Sequence, residues 1–287
     1  MTSATIEDLP ALPSVSARSR TTSFWRRETN RTTTLAIGVL ASAALIAVWA
    51  FLTRDGGSIT PLLLPSPDAF LEAFVRLLRR PYLGSTLLEH VLASLSVVLS
   101  GWCLAGLIGV PLGIAMGWWS RLRWTVFPIF QLIRPVPPLA WIPLAIIWLG
   151  IGPGARMSVV FVAALVPWVM NSMQAVASVD GILLQAARTL GANDRIILSR
   201  VIARTALPTL VAGARIALGN AWTTLIAAEL LAASSGLGYV ALNASRTLDT
   251  DILLVAMATI GVLGALLSFA MQGAARMIAP WAYRGTT

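Results

Sequence analysis

The residue types that usually carry catalysis are few and widely scattered in this sequence of 287 residues. It contains one histidine, His90, and one cysteine, Cys103, which excludes disulfides and Cys/His metal clusters within the chain. All 21 basic residues are arginine, so a P-loop lysine and a Schiff-base lysine are excluded as well. No motif of a serine hydrolase, zinc protease or dinucleotide-binding enzyme occurs. We therefore expect no catalytic residue, no metal site and no cofactor bound by this chain, and no enzyme activity.

One arginine and one glutamate stand out because they lie inside apolar stretches. Arg134 opens the segment RPVPPLAWIP, whose prolines remove backbone donors and interrupt the helical hydrogen bonds. At membrane depth such backbone is tolerated only against protein or a watery cavity, and a buried arginine costs about 2.5 to 3.5 kcal/mol. Arg134 is expected either to satisfy the freed carbonyl groups or to attract an anionic solute. Glu229 is expected either to hydrogen-bond a neighbouring helix or the loop SSGLG, or to line a solute path.

The composition places these residues in an integral membrane protein. Hydrophobic residues make up 57% of the chain and charged residues 11%, and the mean hydropathy is +0.79. Soluble domains carry about 25% charged residues. A membrane-spanning helix needs roughly 20 apolar residues, and the runs near or above that length are 35–53, 92–117, 125–149, 157–177, 207–231 and 252–274. We therefore predict an all-α fold with about six transmembrane helices; a cleaved signal peptide is the weaker alternative for the first run.

The arginine positions predict the orientation of these helices. With a cytoplasmic amino terminus, the inner segments hold thirteen arginines and the outer segments six, in agreement with the positive-inside rule. Residues 1–34 are then a disordered, basic cytoplasmic tail, and residues 278–287 are a second cytoplasmic tail. Residues 54–91 are periplasmic and include an amphipathic helix along the outer interface. The net charge of +9 therefore reflects topology and predicts no binding of nucleic acid.

A polar stretch, residues 178–206, separates the fourth and fifth runs on the predicted cytoplasmic side. Ser178 or Asp180 is expected to cap a first short helix that Gly191 closes in a left-handed conformation, and Asn193 is expected to cap a second. Because an exposed apolar stripe costs solubility, we expect a protein partner to cover one side of the first helix. A DNA-binding helix-turn-helix is disfavoured, because membrane spans follow directly on both sides. The apolar side consists of Leu183, Leu184, Ala187 and Leu190.

The loop QAARTLGANDRIILSRVIARTALP resembles the EAA loop of the permease subunits of bacterial ABC importers. That pattern has Glu-Ala-Ala, a glycine and a later Leu-Pro, and the matching residues here are Ala186, Ala187, Gly191 and Leu207–Pro208. The chain departs from the pattern at Gln185, which keeps the length of glutamate but loses its charge. Beyond the loop, LLLPSPDAF, RPVPPLAWIPLAIIWLGIG and AWTTLIAAELLAASSGLGY resemble the taurine, sulfonate and nitrate branch, and most closely its taurine permeases. The likeness extends over nearly the whole chain from about residue 35.

The resemblance implies the type I ABC importer permease fold with a cytoplasmic coupling helix in the bacterial inner membrane. It implies a second permease copy in a homodimer, two cytoplasmic ATPase subunits that bind ATP and Mg, and a periplasmic or lipid-anchored solute-binding protein. The implied ATPase-coupling residues are Leu184, Gln185, Ala186, Ala187, Gly191 and Pro208. The solute would be a small organic anion or zwitterion, such as taurine or another sulfonate. Its expected path is lined by Arg134, Trp141, Asn171, Asn220 and Glu229.

The alternative function is that of a secondary transporter or channel that works without ATP. Broken helices in paired positions of inverted repeats would support that interpretation. The proline-rich break, however, occurs in only one span. An integral membrane enzyme is disfavoured, since no carboxylate, cysteine or histidine cluster is present in the sequence.

Overall fold

The computed structural model describes residues 31–54 and 59–283, and the regular structure in those ranges is helical apart from one isolated bridge. The predicted amino-terminal tail lies almost entirely outside them. The first helix, α1 (Arg31–Leu52), contains the apolar stretch Ala36–Leu52 at the position of the first predicted span. Its side chains Ile37 and Leu40 are exposed.

The later helices match the predicted spans closely. Their bounds are α2 (Pro67–Arg79), α3 (Leu87–Trp118), α4 (Ser120–Ile133), α5 (Ile142–Leu149), α6 (Pro153–Ala177), α7 (Gly181–Thr189), α8 (Asp194–Ile196), α9 (Ala203–Ala232), α10 (Leu237–Thr247), α11 (Thr250–Ile278) and α12 (Pro280–Tyr283). A 3-10 turn (Pro138–Trp141) precedes α5, and a π-helical segment (Ile197–Ile202) joins α8 to α9. In the described ranges, four stretches are long and apolar enough to cross a membrane: α3, α6, Asp194–Ala232 and α11. They coincide with the second, fourth, fifth and sixth predicted spans.

The contact between α3 and α6 depends on glycines at four-residue spacing in α3. A Cβ atom at Gly101 would lie 2.7 Å from Cγ1 of Val160, and one at Gly117 would lie 2.6 Å from Cβ of Val176. Only glycine therefore permits this approach. The contacts occur in the same order along both helices, so α3 and α6 run parallel to each other.

Parallel α3 and α6 require the chain between them to cross the bundle again, and α4 and α5 form that crossing. The predicted span 125–149 is not one helix, because the stretches Ser120–Ile133 and Pro138–Leu149 meet at an angle of 85°. Pro135 and Pro137 lie at the break, where they remove backbone donors and disfavour helical geometry in the preceding residue. The interruption that the proline run predicted is thus confirmed.

The largest apolar core lies where α3, α6, α9, α10 and α11 meet. Its fully buried side chains include Leu225 and Leu237. One face of α2 packs on this core through buried Ala73 and Leu77, which confirms the predicted amphipathic helix. The N-terminus of α2 is capped by Ser66, whose hydroxyl accepts a hydrogen bond from a backbone N–H.

Candidate functional site

The break between α4 and α5 leaves Arg134 exposed. Its backbone N–H closes the last turn of α4 on the carbonyl oxygen of Phe130, at 2.9 Å. Within the described part of the chain, its guanidinium has no hydrogen-bond or ion-pair partner, so it does not satisfy the carbonyl groups freed by the prolines. Trp141 lies half-buried in a small apolar cluster, and its indole N–H is enclosed without an acceptor among the described residues.

The exposed side of α9 carries polar residues at membrane depth. Asn220 and Thr223 lie on this side together with Gly219, and Arg215 lies one turn earlier. The Thr223 hydroxyl donates a hydrogen bond of 3.1 Å to the carbonyl oxygen of Gly219 in its own helix. A primary amide exposed to hydrocarbon would lose its hydrogen bonds to water at a cost of several kcal/mol. This side of α9 is therefore suited to water, a solute or another protein chain rather than to lipid.

Asn171 occupies a different position from Asn220. Its side-chain N–H donates a hydrogen bond of 2.8 Å to the carbonyl oxygen of Pro167 in α6. Its Cβ faces Gly213 of α9, where any side chain would overlap it. Asn171 thus lies in the contact between α6 and α9, and not on an open surface, because the missing side chain of Gly213 brings the two helices together.

Glu229 lies in a buried polar network and has no exposed surface. Its Oε1 accepts a hydrogen bond of 2.7 Å from the Ser94 hydroxyl, and its Oε2 accepts one of 2.8 Å from the Gly238 N–H. The carboxylate faces the first turn of α10, where the helix dipole favours a negative charge. Of the two roles expected for Glu229, these contacts match hydrogen bonding to a neighbouring helix and to the segment after the loop SSGLG. Because the side chain is fully buried, it does not line an open path in this conformation.

Arg156 provides the positive charge of the same network. Its Nη1 lies 3.6 Å from Oε1 of Glu229 and donates a hydrogen bond of 2.7 Å to the carbonyl oxygen of Ser235. Only 3% of its side chain is exposed. Arg156 is one of the six arginines predicted for the outer segments, and it lies buried in the first turn of α6, which begins at Pro153. No spacing in the sequence indicates a pair between residues so far apart along the chain.

His90 binds the loop before α10 from another side. Its Nδ1 accepts a hydrogen bond of 3.1 Å from the Gly236 N–H, and its Nε2 lies 3.0 Å from the carbonyl oxygen of Tyr82. Because Nδ1 accepts, the ring carries its proton on Nε2 and is neutral in this arrangement. His90 is almost completely buried, so its role here is structural. Burial raises the pKa of the neighbouring Tyr82 hydroxyl above its ordinary value.

The predicted N-caps in the stretch 178–206 are both present. The Asp180 carboxylate accepts a hydrogen bond of 2.9 Å from the Ile182 N–H at the start of α7. The Asn193 side-chain oxygen accepts one of 2.9 Å from the Ile196 N–H at the start of α8. These side chains satisfy backbone donors that would otherwise lack partners at the helix ends.

The end of α7 has the left-handed geometry that was predicted for Gly191. Gly191 has a φ of +80°, and its N–H donates to the carbonyl oxygen of Arg188 at 2.9 Å. The N–H of Ala192 donates to the carbonyl oxygen of Ala187 at 3.0 Å. Together these two bonds form a Schellman motif, which turns the chain sharply from α7 toward α8.

The two sides of α7 only partly match the predicted partner-binding residues. Leu184 and Ala187 pack against an apolar cluster of the chain itself and are half-buried. They were expected to face a partner, and the π segment Ile197–Ile202 packs against them in the same chain. The side that remains open, which we call the α7 outer face, consists of Ile182, Leu183, Gln185, Ala186 and Leu190. Its apolar side chains Ile182, Leu183 and Leu190 are 72%, 47% and 87% exposed.

The inner side of α7 is attached to the ends of three spans. The cluster beneath it contains Val176 of α6, Ile197 of the π segment and Ala206 of α9, with Trp118 of α3 packed against them. Dense packing of this kind transmits displacements, because a close-packed interior has low compressibility. Any force on α7 therefore acts on the ends of α3, α6 and α9.

Pro208 does not begin a span as predicted. It lies inside α9, and the helix is continuous from Asp194 to Ala232 through the π segment. No residue between α8 and α9 ends the helix, so the segment 194–206 and the predicted span are one element. Pro208 lies in the second turn of α9, six residues after the end of the π segment.

Comparison with known proteins identifies the family. Residues 109–283 match the family of binding-protein-dependent transport system inner membrane components. The chain is 38% identical to the taurine transport system permease protein TauC of Escherichia coli (strain K12) over 258 residues, which cover 90% of this chain and 93% of TauC. It is 35% identical to the putative aliphatic sulfonates transport permease protein SsuC of the same organism over 240 residues, 83% of this chain and 88% of SsuC.

A solved structure shares the fold. The methionine ABC transporter MetNI, in an inward-facing conformation, superposes with a TM-score of 0.61 and 23% sequence identity, over 67% of this chain and 95% of that chain. The expected type I importer permease fold is thus confirmed, and the ATP-independent alternative is not favoured. The family model matches more than half of this chain, and the alignment with TauC covers most of that protein. This chain therefore belongs to the binding-protein-dependent transport system inner membrane components and is a membrane permease rather than an enzyme.

Proposed function

We propose that this chain forms one half of the transmembrane path of an ABC importer for taurine or another small sulfonate. The observation that carries the proposal is its similarity to the taurine permease TauC over 93% of that protein. SsuC, a relative named for aliphatic sulfonates, supports the same chemical class. The exposed guanidinium of Arg134 at the break between α4 and α5 suits a solute that carries a negative charge.

The path is proposed to follow the exposed polar side of α9 and the break between α4 and α5. It would be lined by Arg134, Trp141 and Asn220. Asn171 and Glu229 would stabilise the contacts between the helices around the path without facing it. One chain provides only one side of such a path. A second copy is therefore proposed to face the first, which would also remove Asn220 from lipid.

The α7 outer face is proposed to dock on a cytoplasmic ATPase subunit that binds ATP and Mg. Exposed apolar side chains such as Ile182 and Leu190 favour burial against a partner. Because the other side of α7 packs on the span ends, closure of the ATPases would move the spans as rigid bodies. Gln185 is exposed, so the loss of the family's charge there would alter docking and not the fold.

Both termini are proposed to lie on the cytoplasmic side of a bacterial inner membrane. The test uses Cys103→Ser as background, since Cys103 is the single cysteine of the chain. A membrane-impermeant maleimide should label Glu72→Cys on α2 in intact spheroplasts, and Leu190→Cys on α7 only after the membrane is opened. The permease is expressed without its ATPase subunit, and both side chains are exposed in the free chain, so neither docking nor burial limits labelling. The opposite labelling pattern would reverse the proposed orientation.

Transport is tested by reconstituting the permease with its co-purifying ATPase and its candidate binding protein. ATPase activity and uptake are measured with taurine, longer alkanesulfonates, nitrate or no solute. The proposal expects stimulation by a sulfonate-loaded binding protein and loss of that stimulation in Gly191→Arg, which adds bulk beside the α7 outer face. Uptake of nitrate alone would contradict the sulfonate assignment, and uptake without ATP would contradict the ABC mechanism.

Gly191→Ala is the matched control for this experiment. It strains the same left-handed residue but adds a single methyl group, for which there is open space in the free subunit. If both variants lost stimulation equally, the effect would come from the disrupted cap and not from docking. A large loss in Gly191→Arg alone assigns the effect to the partner surface.

A further inference from the structure

A groove between α9 and α11 contains polar side chains that the helix bundle does not require. It encloses a cavity of about 490 Å³. Its walls are mostly apolar, through residues such as Trp222, Leu267 and Met271. Three polar side chains lie among them: Arg215, Ser268 and Gln272. A mostly apolar pocket with a few polar groups is the usual form of a site for a small molecule.

Arg215 is the charged group of this groove and lacks a counter-ion. Its Nη2 donates a hydrogen bond of 3.2 Å to the neutral Ser268 hydroxyl. None of the described residues that line the groove is acidic, and no described carboxylate forms an ion pair with Arg215. Arg215 lies well inside Asp194–Ala232, a stretch long and apolar enough to cross a membrane. A guanidinium at this depth requires water or an anion, because it stays charged and is costly to place in hydrocarbon.

The shape of the groove leaves room for a ligand beside Arg215. A Cβ atom added to Gly219, one turn above Arg215, would meet no atom of the chain within 4 Å. At Gly264 the groove is closed, since a Cβ atom there would lie 2.9 Å from the indole nitrogen of Trp222. A short aliphatic chain would fit against Trp222 while its charged end reaches Arg215.

We propose that this groove holds the anionic group of the transported solute, with the Arg215 guanidinium as its counter-ion and the Ser268 hydroxyl as a second donor. The inference rests on the proposed function, which supplies the sulfonate, and it extends the path beyond the residues that the sequence indicated. A planar guanidinium offers two parallel N–H donors to an oxoanion, which makes the contact directional as well as charged.

The experiment measures uptake of radiolabelled taurine and ATP hydrolysis by the complete reconstituted transporter with its binding protein. In Arg215→Gln, uptake per ATP hydrolysed should fall about tenfold or more, which corresponds to the loss of one charge-assisted hydrogen bond. ATPase stimulation by the loaded binding protein should persist, because Arg215 lies far along α9 from the α7 outer face. Arg215→Lys should recover part of the uptake, since it keeps the charge but not the paired donors.

Gly219→Leu tests the groove without touching the arginine. The added side chain should narrow the groove and lower uptake per ATP, while Gly261→Leu is the matched control. Gly261 also lies in a helix, is exposed and has open space around it, but it does not line the groove. Equal uptake by the two leucine variants would overturn the proposal.

The remaining outcomes separate the solute from other occupants. If Arg215→Gln prevents assembly of the complex, as judged by size-exclusion chromatography, the occupant is the second permease copy and the proposal is overturned. Uptake is also compared in phosphatidylcholine vesicles with and without phosphatidylglycerol. A loss of uptake in Arg215→Gln that appears only with phosphatidylglycerol would show that Arg215 binds lipid phosphate, and this outcome would also overturn the proposal. Absence of sulfonate uptake by the unaltered transporter would instead contradict the proposed function.

Discussion

Replacing Ser94 by alanine tests how strongly the buried network around Glu229 stabilises the bundle. The Ser94 hydroxyl donates 2.7 Å to Oε1 of Glu229 and accepts 3.0 Å from the Leu237 N–H. Ser94 has no exposed surface, so water cannot replace either bond without opening the contact between α3 and α10. The substitution removes one oxygen atom but leaves the shape of the helix surface almost unchanged.

The size of the effect follows from the two groups that lose a partner. A buried polar group without its hydrogen bond costs about 1 to 3 kcal/mol, and a charged group more. Glu229 keeps its bond from the Gly238 N–H and its ion pair with Arg156, which limits the loss at the carboxylate. We therefore expect a total of roughly 2 to 5 kcal/mol. For chains of this size, 1 kcal/mol shifts the melting temperature by about 2 to 4 °C, so Ser94→Ala should melt roughly 4 to 20 °C lower.

The assay is thermal unfolding of the purified permease in detergent, followed by the fluorescence of its 11 tryptophans. Ser96→Ala is the control, because Ser96 lies on the same helix, is exposed, and bonds only to the Ala93 carbonyl oxygen of its own helix, at 2.8 Å. Its melting temperature should stay close to that of the unaltered protein. If Ser94→Ala and Ser96→Ala melted together, the network would not stabilise the fold as reasoned here.

Three further predictions concern helix contacts, the buried charge pair and the α7 cap. Gly113→Ala should lower the free energy of unfolding by about 1 to 3 kcal/mol through overpacking, because the added Cβ would lie 2.6 Å from the Cβ of Ser172. The control is Gly261→Ala, which has open space around it and should be neutral or stabilising in the same thermal unfolding assay. Glu229→Gln should lower the free energy of unfolding by about 3 kcal/mol or more, because it leaves buried Arg156 without a counter-ion. Adding Arg156→Leu should recover part of that stability. A double variant less stable than Glu229→Gln would contradict this reasoning. Gly191→Ala should destabilise the loop by about 1 kcal/mol, because alanine disfavours its φ of +80°, and hydrogen exchange at α7 should rise locally while α3 stays protected.

The helices and their ends were largely predictable because they depend on short-range chemistry. Apolar runs of sufficient length indicated α3, α6, α9 and α11, and the prolines after Arg134 indicated the break that the structure has at 85°. The caps formed by Asp180, Asn193 and Gly191 were also predicted, since each depends on one side chain and a backbone group a few residues away.

Predictions about which side of a helix faces a partner were less successful. Leu184 and Ala187 are apolar and adjacent to an exposed stripe, so local sequence could not tell an outside partner from the chain's own cluster. Asn171 and Asn220 are likewise the same residue type in similar apolar surroundings. Only the packing of α6 against Gly213 separates the half-buried one from the exposed one.

By itself, the sequence determined the membrane location, the broken third span and the two-helix loop, because hydrophobic length and turn residues act locally. Only the tertiary structure paired Arg156 with Glu229 and brought Ser94 and His90 to the loop before α10. Those partners lie far apart along the chain, and their contact depends on α3, α6 and α9 approaching closely where glycines leave space. The same approach leaves Arg215 facing an open groove instead of a carboxylate. The sequence indicates that a charged residue in an apolar stretch needs a partner, whereas the packing of the helices decides which residue that partner is.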